Sequence, residues 1–242
     1  PNLPPDIRCL IDVTRLGLDY IEDEGERLRI GATTTMHQLA MSPAIAKLAN
    51  GVLSSSCCQG WPTEVRNTAT LGGNVVGAGP FADSPPALLA LDAEVVIARL
   101  DGEERLPIQD FFLDYRRTAV GQGILKEIQI PRPSSQVRGI FLKFGRTQVD
   151  HALVNLAVTL EMENGICGKV RIALGAIGRT PQRILEAERI LLEKPLQPDL
   201  IEDVVCIVTE LVDPVIDLRA SADYRRELAG VLTRRALLQL AS

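Results

Sequence analysis

The residues best suited to chemistry lie close together, in the run R-N-T-A-T-L-G-G-N-V-V-G-A-G-P-F-A-D-S-P-P-A-L-L-A-L-D at 66–92. Four glycines and three prolines stand there between an Arg–Asn opening and an apolar stretch. Without a Cβ, Gly72 and Gly73 can take positive φ and let the backbone approach a ligand closely. Consecutive amides in such a turn can converge on one anionic group. Thr70 and Asn74, on either side of Leu71-Gly72-Gly73, add a hydroxyl and an amide that could orient a ligand. On local chemistry alone, a structural tight turn is the first reading of this segment. Two more polar residues invite attention. Asp83 precedes a Ser84-Pro85 helix start, where a carboxylate complements the helix dipole. Lys143 alternates with Leu142 and Phe144 on a strand, the ordinary place for a solvated lysine.

Self-contained catalytic motifs are missing from the sequence. It has no G-x-G-x-x-G after a strand, no G-x-x-x-x-G-K-S/T, no H-E-x-x-H and no G-x-S-x-G. The five cysteines (Cys9, Cys57, Cys58, Cys167, Cys206) are odd in number and show no C-x-x-C, which suits a reducing compartment and offers no zinc or iron–sulfur site within the chain. A Cys–His nucleophile with His37 or His151 stays open but ranks below the reading of the cysteines as small buried hydrophobes. Any chemistry is therefore expected from a cofactor.

The elements that position these residues follow from period and punctuation. Short strands are expected at 9–13 and 28–30, then a helix capped by Thr34 or Thr35 and another starting at Pro43, with 57–65 as loop. Asp101-Gly102 signals a type I′ hairpin between 94–100 and 103–106. One helical turn is expected at 108–112 and a strand at 124–130. The P-R-P-S-S-Q run at 131–136 is the best linker, dividing the chain into 1–131 and 137–242. Beyond it, alternation predicts three antiparallel strands, two of them joined at Asn164-Gly165, followed by helices at 182–192, 201–211 and 222–240. The fold class is α+β.

With 242 residues, 46% hydrophobic and 24% charged, the chain can bury a substantial core. Its net charge of −5 argues against nucleic-acid backbone binding, which needs clustered lysine and arginine. No apolar run reaches the ~18 residues of a membrane span and no signal-peptide pattern opens the chain, so a cytoplasmic setting is expected. The sequence enters an apolar run almost directly from Pro1, without a methionine, which suggests a missing N-terminal piece.

Taken together, these segments resemble the molybdenum hydroxylase flavoproteins, the medium FAD subunits of carbon monoxide dehydrogenase and bacterial xanthine dehydrogenase. T-L-G-G-N at 70–74, Pro80, Asp83 and P-A-L-L-A-L-D-A at 86–93 are similar to that family's second FAD-binding segment. L-R-I-G-A-T-T-T at 28–35, F-F-L-D-Y-R-R-T at 111–118 and G-Q-G-I-L-K-E-I-Q-I-P at 121–131 extend the resemblance. So do K-F-G-R at 143–146 with Asp150, and S-A-D-Y-R-R-E-L-A-G-V-L-T-R-R-A-L at 221–237. The resemblance implies an FAD-binding domain followed by a small three-stranded antiparallel sheet with a three-helix bundle. It implies that Thr70, Leu71, Gly72, Gly73 and Asn74 wrap the FAD pyrophosphate and ribityl region. Asp83 would accept from a polar group of the cofactor, Leu125 would line the adenine side, and Lys143 would stand beside the isoalloxazine.

The same resemblance implies partners: a molybdopterin-binding large subunit and a small subunit with 2Fe–2S clusters. Electrons would pass from those clusters through FAD to NAD or another acceptor, with no catalytic residue and no metal ligand in this chain. A flavin-free assembly subunit and another flavoprotein oxidoreductase sharing the FAD domain are the rivals. Several departures qualify the match. The family's other, glycine-rich FAD loop has no counterpart, no flavin contact is assigned to Gly60 or Trp61, Gly145 and Thr147 thin the basic cluster after the lysine, and His151 is unexpected. No cysteine-rich insertion is present either.

Overall fold

Two antiparallel sheets, each with one face turned to its own apolar core, carry the chain. The computed structural model describes residues 10–59, 61–147 and 149–241. The first sheet holds β1 (Ile21–Asp23) and β2 (Arg27–Gly31). Six helices follow: α1 (Met36–Met41), α2 (Pro43–Ala46), α3 (Val52–Cys58), α4 (Thr63–Arg66), α5 (Leu71–Val76) and α6 (Ser84–Ala90). Then come β3 (Glu94–Arg99), β4 (Gly102–Pro107), the single turn α7 (Ile108–Phe111), a small hairpin of β5 (Phe112–Asp114) and β6 (Arg117–Thr118), and β7 (Ile124–Pro131). Strand order is β1-β2-β7-β3-β4. Alternation turns Leu28, Ile30, Val95, Ile97, Ile128 and Ile130 to one core with α1, α3 and α6.

The second sheet contains β8 (Val137–Phe144), β9 (Val154–Glu163), β10 (Ile166–Gly175) and the two-residue β11 (Gln182–Arg183), in the order β11-β10-β9-β8. α8 (Leu185–Leu191), α9 (Pro198–Leu211) and α10 (Ala222–Ala241) cover it. Ile201, Val204, Val205 and Val208 make the buried stripe of α9 that the 3.6 period anticipates. Asn164 and Gly165 both take positive φ (53° and 81°), as the β9–β10 hairpin requires.

Four expectations need correction. Of the strand expected at 9–13, Cys9 lies outside the described residues. Residues 10–13 form no strand, and Leu10 and Ile11 stand exposed; the edge of β2 they could have joined is occupied by β1. The stretch 57–65 is not a loop: α3 reaches Cys58 and α4 begins at Thr63. Val52, Leu53, Ser56 and Cys57 form the buried face of α3, and the serine and cysteine in that face masked the period. The β3–β4 hairpin forms, but only Gly102 takes positive φ (142°), so its turn is not type I′. Gln182 and Arg183 pair with Leu174 and Ala173 as a fourth strand, and the helix starts later, at Leu185.

Every residue of α6 is buried, because the second sheet packs on it together with α3, α5 and α7, and the second sheet fixes its two ends through aspartates. Beyond its C-terminus, Asp92 receives Arg171 Nε at 2.8 Å, Lys169 Nζ at 2.9 Å and Arg183 Nη1 at 3.0 Å. Thr159 Oγ1 donates to the carbonyl of Ala90 at 2.7 Å. Asp83 holds the other end.

Candidate functional site

The glycine pair does not make a positive-φ turn. Thr70 is the N-cap of α5, and its Oγ1 accepts from the amide of Gly73 at 3.1 Å. Gly72 and Gly73 are the second and third residues of that helix. Gly72 is there for packing: its amide donates to Ala32 O at 2.9 Å, and an added Cβ would lie 2.7 Å from both Ala32 Cβ and Ala32 O. Gly73 faces outward, and an added Cβ would approach only Thr70 Oγ1, at 3.0 Å.

That outward face is one wall of a cleft of about 700 Å³. Gly73, Asn74, Gly77 and Gly79 present almost bare backbone along it, down to Asp83. Lys143, His151 and Arg219 also line it, as do Tyr115 and Arg116 of the β5–β6 turn. The cleft runs on, past the shared residues Trp61, Lys143 and Val149, into a hollow of about 720 Å³ bordered by Arg66 and Arg146.

At the base of the cleft, Lys143 Nζ lies 2.6 Å from Asp83 Oδ2, with both side chains almost fully buried. Lys143 is thus not a solvated lysine. β8 and β9 place it directly opposite Asn155, whose Nδ2 donates to Asp83 Oδ1 at 2.7 Å and to Ala82 O at 3.0 Å. Burial pushes the Asp83 carboxyl above the usual range, against the opposing pull of Lys143, Asn155 and His151. Asp83 is the residue before α6 but makes no side-chain cap. Ser84 does not cap either; its hydroxyl donates to Asn74 Oδ1 at 2.6 Å and so ties α6 to the cleft wall.

Of the residues singled out in the sequence, Gly73, Asn74, Asp83 and Lys143 meet in the cleft. Thr70 acts behind it as a cap. Leu71 and Leu125 lie in the first core, and Gly72 against Ala32, so none of these three lines the cleft. Sequence reasoning assigned no contact to Trp61, which lines the cleft, and passed over Phe81, Asn155, Arg219 and Arg225. Phe81 lines the cleft with the guanidinium carbons of Arg219 and Arg225 at 4.8 and 5.3 Å from its ring centre. Asn155 did leave a trace, as a lone amide in the apolar alternation V-N-L-A-V. Arg225 left none, since its partners lie in distant segments. Cys57 is sealed in the core, where burial pushes its thiol up to about 12, which removes it as a nucleophile.

The residues fit an elongated ligand rich in acceptor atoms. Trp61 and Arg219 line the cleft, and their Nε1 and Nη1 are buried with no hydrogen-bond partner among the described residues. Bare backbone at Gly73, Gly77 and Gly79 leaves room for close approach.

Comparison with known proteins agrees with this fit. Residues 4–133 match the profile of the FAD binding domain in molybdopterin dehydrogenase, and residues 140–240 that of the CO dehydrogenase flavoprotein C-terminal domain. The carbon monoxide dehydrogenase medium chain of Afipia carboxidovorans is 30% identical over 94% of this chain and 80% of its own length. The glyceraldehyde dehydrogenase medium chain of Sulfolobus acidocaldarius is 29% identical over 99% and 84%. Among solved structures, the carbon monoxide dehydrogenase of Hydrogenophaga pseudoflava superposes with a TM-score of 0.89 at 28% identity, covering 91% of this chain and 77% of that one. Quinoline 2-oxidoreductase from Pseudomonas putida 86 gives 0.85 at 29% identity, covering 93% and 78%. The chain belongs to the FAD-binding medium-subunit family of carbon monoxide and xanthine dehydrogenase-type flavoproteins. It is an oxidoreductase subunit of the molybdenum hydroxylase class, and its cofactor is FAD.

Proposed function

We propose that the cleft between α5 and β8 takes the FAD, with Lys143 as the residue on which its electronic properties turn. The observation that carries this reading is a buried ammonium ion, fixed by Asp83, in the same cleft as a run of bare glycine backbone. Gly73, Gly77 and Gly79 admit the cofactor without steric conflict, and Asn74 and Arg219 offer polar contacts. Thr70 and Ser84 hold the glycine wall in place, while Leu71, Gly72 and Leu125 form the packed support behind it. FAD, when bound, supplies one- and two-electron redox chemistry that no side chain provides. Lys143 would favour negative charge on the ligand, since a fixed cation in a largely dry site costs no reorganisation when that charge develops. His151 and Asp150 also line the cleft.

In the assembled enzyme, this subunit would receive electrons from the 2Fe–2S clusters of a small partner subunit. Those clusters would be supplied by a molybdopterin-binding large subunit that oxidises the organic substrate. Delivery would be to NAD or another acceptor, in the cytoplasm. Support comes from the medium-chain relatives, whose names place them in multi-subunit dehydrogenases.

Flavin content tests the reading. Purified with its partner subunits, the protein should show the flavin absorbance bands and release FAD on denaturation. The Gly73→Val variant, whose side chain would project from α5 into the cleft, should lose most of that FAD while keeping its circular dichroism spectrum. A wild-type protein free of flavin, or full flavin in the variant, would overturn the assignment.

A further inference from the structure

Asn155 is fully buried, and all of its hydrogen bonds run one way. Nδ2 gives its two protons to Asp83 Oδ1 and Ala82 O, at 2.7 and 3.0 Å, whereas Oδ1 is buried with no partner among the described residues. A flipped amide would set its oxygen against a carboxylate and a carbonyl, so the partners fix its orientation. Gly175 makes room for this arrangement, because a Cβ there would collide with Asn155 Oδ1. The fold therefore keeps an unsatisfied carbonyl and a bare glycine in order to aim one amide at Asp83. An unpaired buried acceptor is unfavourable, and such a cost points to a role for the donors.

We propose that Asn155 is the positioning residue of the cleft: it keeps the buried Asp83 ionised and turned so that Oδ2 holds the Lys143 ammonium against the wall where the flavin binds. This rests on the flavin-cleft reading for its consequence, though not for its geometry. Asp83 is faced by Lys143 from β8, Asn155 from β9, His151 from the loop between them, and the Cys57 thiol from α3. Among the described residues, only Asn155 and Lys143 hydrogen-bond its side chain. Without the amide, the carboxyl keeps a single partner in a dry setting and binds a proton more tightly. Lys143 then loses its counter-charge, and the wall gains net positive charge.

The test compares wild type, Asn155→Leu and Asn155→Ser, with Asp83→Asn added to each as a control. Infrared difference spectra during a pH titration follow the carboxylic-acid band that disappears in the Asp83→Asn backgrounds, and need no flavin. The midpoint of that band should move to higher pH by about one unit in Asn155→Leu, a tenfold gain in proton affinity. In Asn155→Ser, which retains a donor, the midpoint should lie between the other two. Circular dichroism identifies which variants fold, and the serine variant alone suffices if leucine is not tolerated. An unchanged midpoint in a folded variant overturns the proposal. In flavin-loaded protein held at a pH between the wild-type and variant midpoints, where the variant's wall carries more positive charge, the ratio of affinities for reduced and oxidised FAD should rise in Asn155→Leu. A shifted midpoint with an unchanged ratio would retain the positioning role and reject the flavin cleft, so the two failures are distinguishable.

Discussion

Lys143 Nζ and Asp83 Oδ2 lie 2.6 Å apart, although one residue belongs to the second sheet and the other precedes α6 of the first unit. Their pairing does two things at once: it joins the units and places a cation at the cleft. Removing one partner of a buried pair leaves the other charge uncompensated, at roughly 3–5 kcal/mol. Lys143→Met should therefore lower stability by about 3 kcal/mol at pH 8 in urea unfolding. The loss should shrink at pH 5. Asp83 in that variant has a folded-state affinity for protons above that of the unfolded chain, so stability is present at low pH and declines as pH rises through the raised value. Equal losses at both pH values would show that Asp83 is not the group left behind.

The two adjacent glycines make opposite predictions. Gly72→Ala pushes a methyl to within 2.7 Å of Ala32 Cβ and of its carbonyl, in a backbone contact that cannot yield cheaply. A loss of about 2 kcal/mol in thermal or urea unfolding is expected, in the range of an overpacked core. Gly73→Ala meets only Thr70 Oγ1 and gains helix propensity. Its stability should stay within ~1 kcal/mol of wild type, while FAD affinity falls because the methyl enters the cleft. The reverse ordering of the two stabilities would refute this division of roles.

Much of the architecture was legible because its signals are local. Asn164-Gly165, the α9 stripe and the Thr35 capping box with Gln38 all sit where period and turn chemistry place them. The cleft was legible only in part. T-L-G-G-N contributes Gly73 and Asn74 to the cleft, but on a helix rather than in the expected turn, since a glycine pair reads alike in a turn and in a helix held close to Ala32. Asp83 and Lys143 were found separately, and nothing in their spacing shows that they pair across 60 residues. Arg225 and Phe81 were missed for the same reason: their meeting depends on where α10 docks, which no local pattern encodes.

Glu127 sets the acid limit of the first sheet. Burial alone would raise its carboxyl, but hydrogen bonds from Arg29, Tyr20 and Gln129 outweigh that and bring it to about 2. A folded-state value below the unfolded one contributes stability at neutral pH that is lost as pH falls from ~4.3 toward that lower value. Wild type should therefore lose stability steeply across this window, and Glu127→Gln should show a flatter profile. At pH 7 the variant should be less stable by roughly 1.5–3 kcal/mol, the range of a charged hydrogen bond. Matching acid profiles for the two proteins would reject Glu127 as the source.

Arg225 and Arg219 approach the same phenyl ring, and their surroundings separate structure from binding. Arg225 is fully buried; its Nη1 donates to Leu153 O at 2.6 Å and its Nη2 to Asp217 Oδ1 at 2.7 Å. It ties α10 to the segment that leads into β9, while its guanidinium rests on Phe81. Arg219 keeps a freer guanidinium: its Nη1 lacks a hydrogen bond and lies 3.8 Å from Asp217 Oδ2, beside the cleft. Arg225→Met should thus lower stability by roughly 3–6 kcal/mol, the sum of its two lost charged hydrogen bonds. Arg219→Met should change stability by less than ~1 kcal/mol, as for a partly exposed ion pair. Its effect should appear instead in FAD titrations followed by flavin fluorescence, as about a tenfold weaker affinity that is less sensitive to salt than the wild-type value. If Arg219→Met binds FAD as wild type does, the Arg219 guanidinium is a support for Phe81 and the polar contact it was assigned in the cleft does not exist.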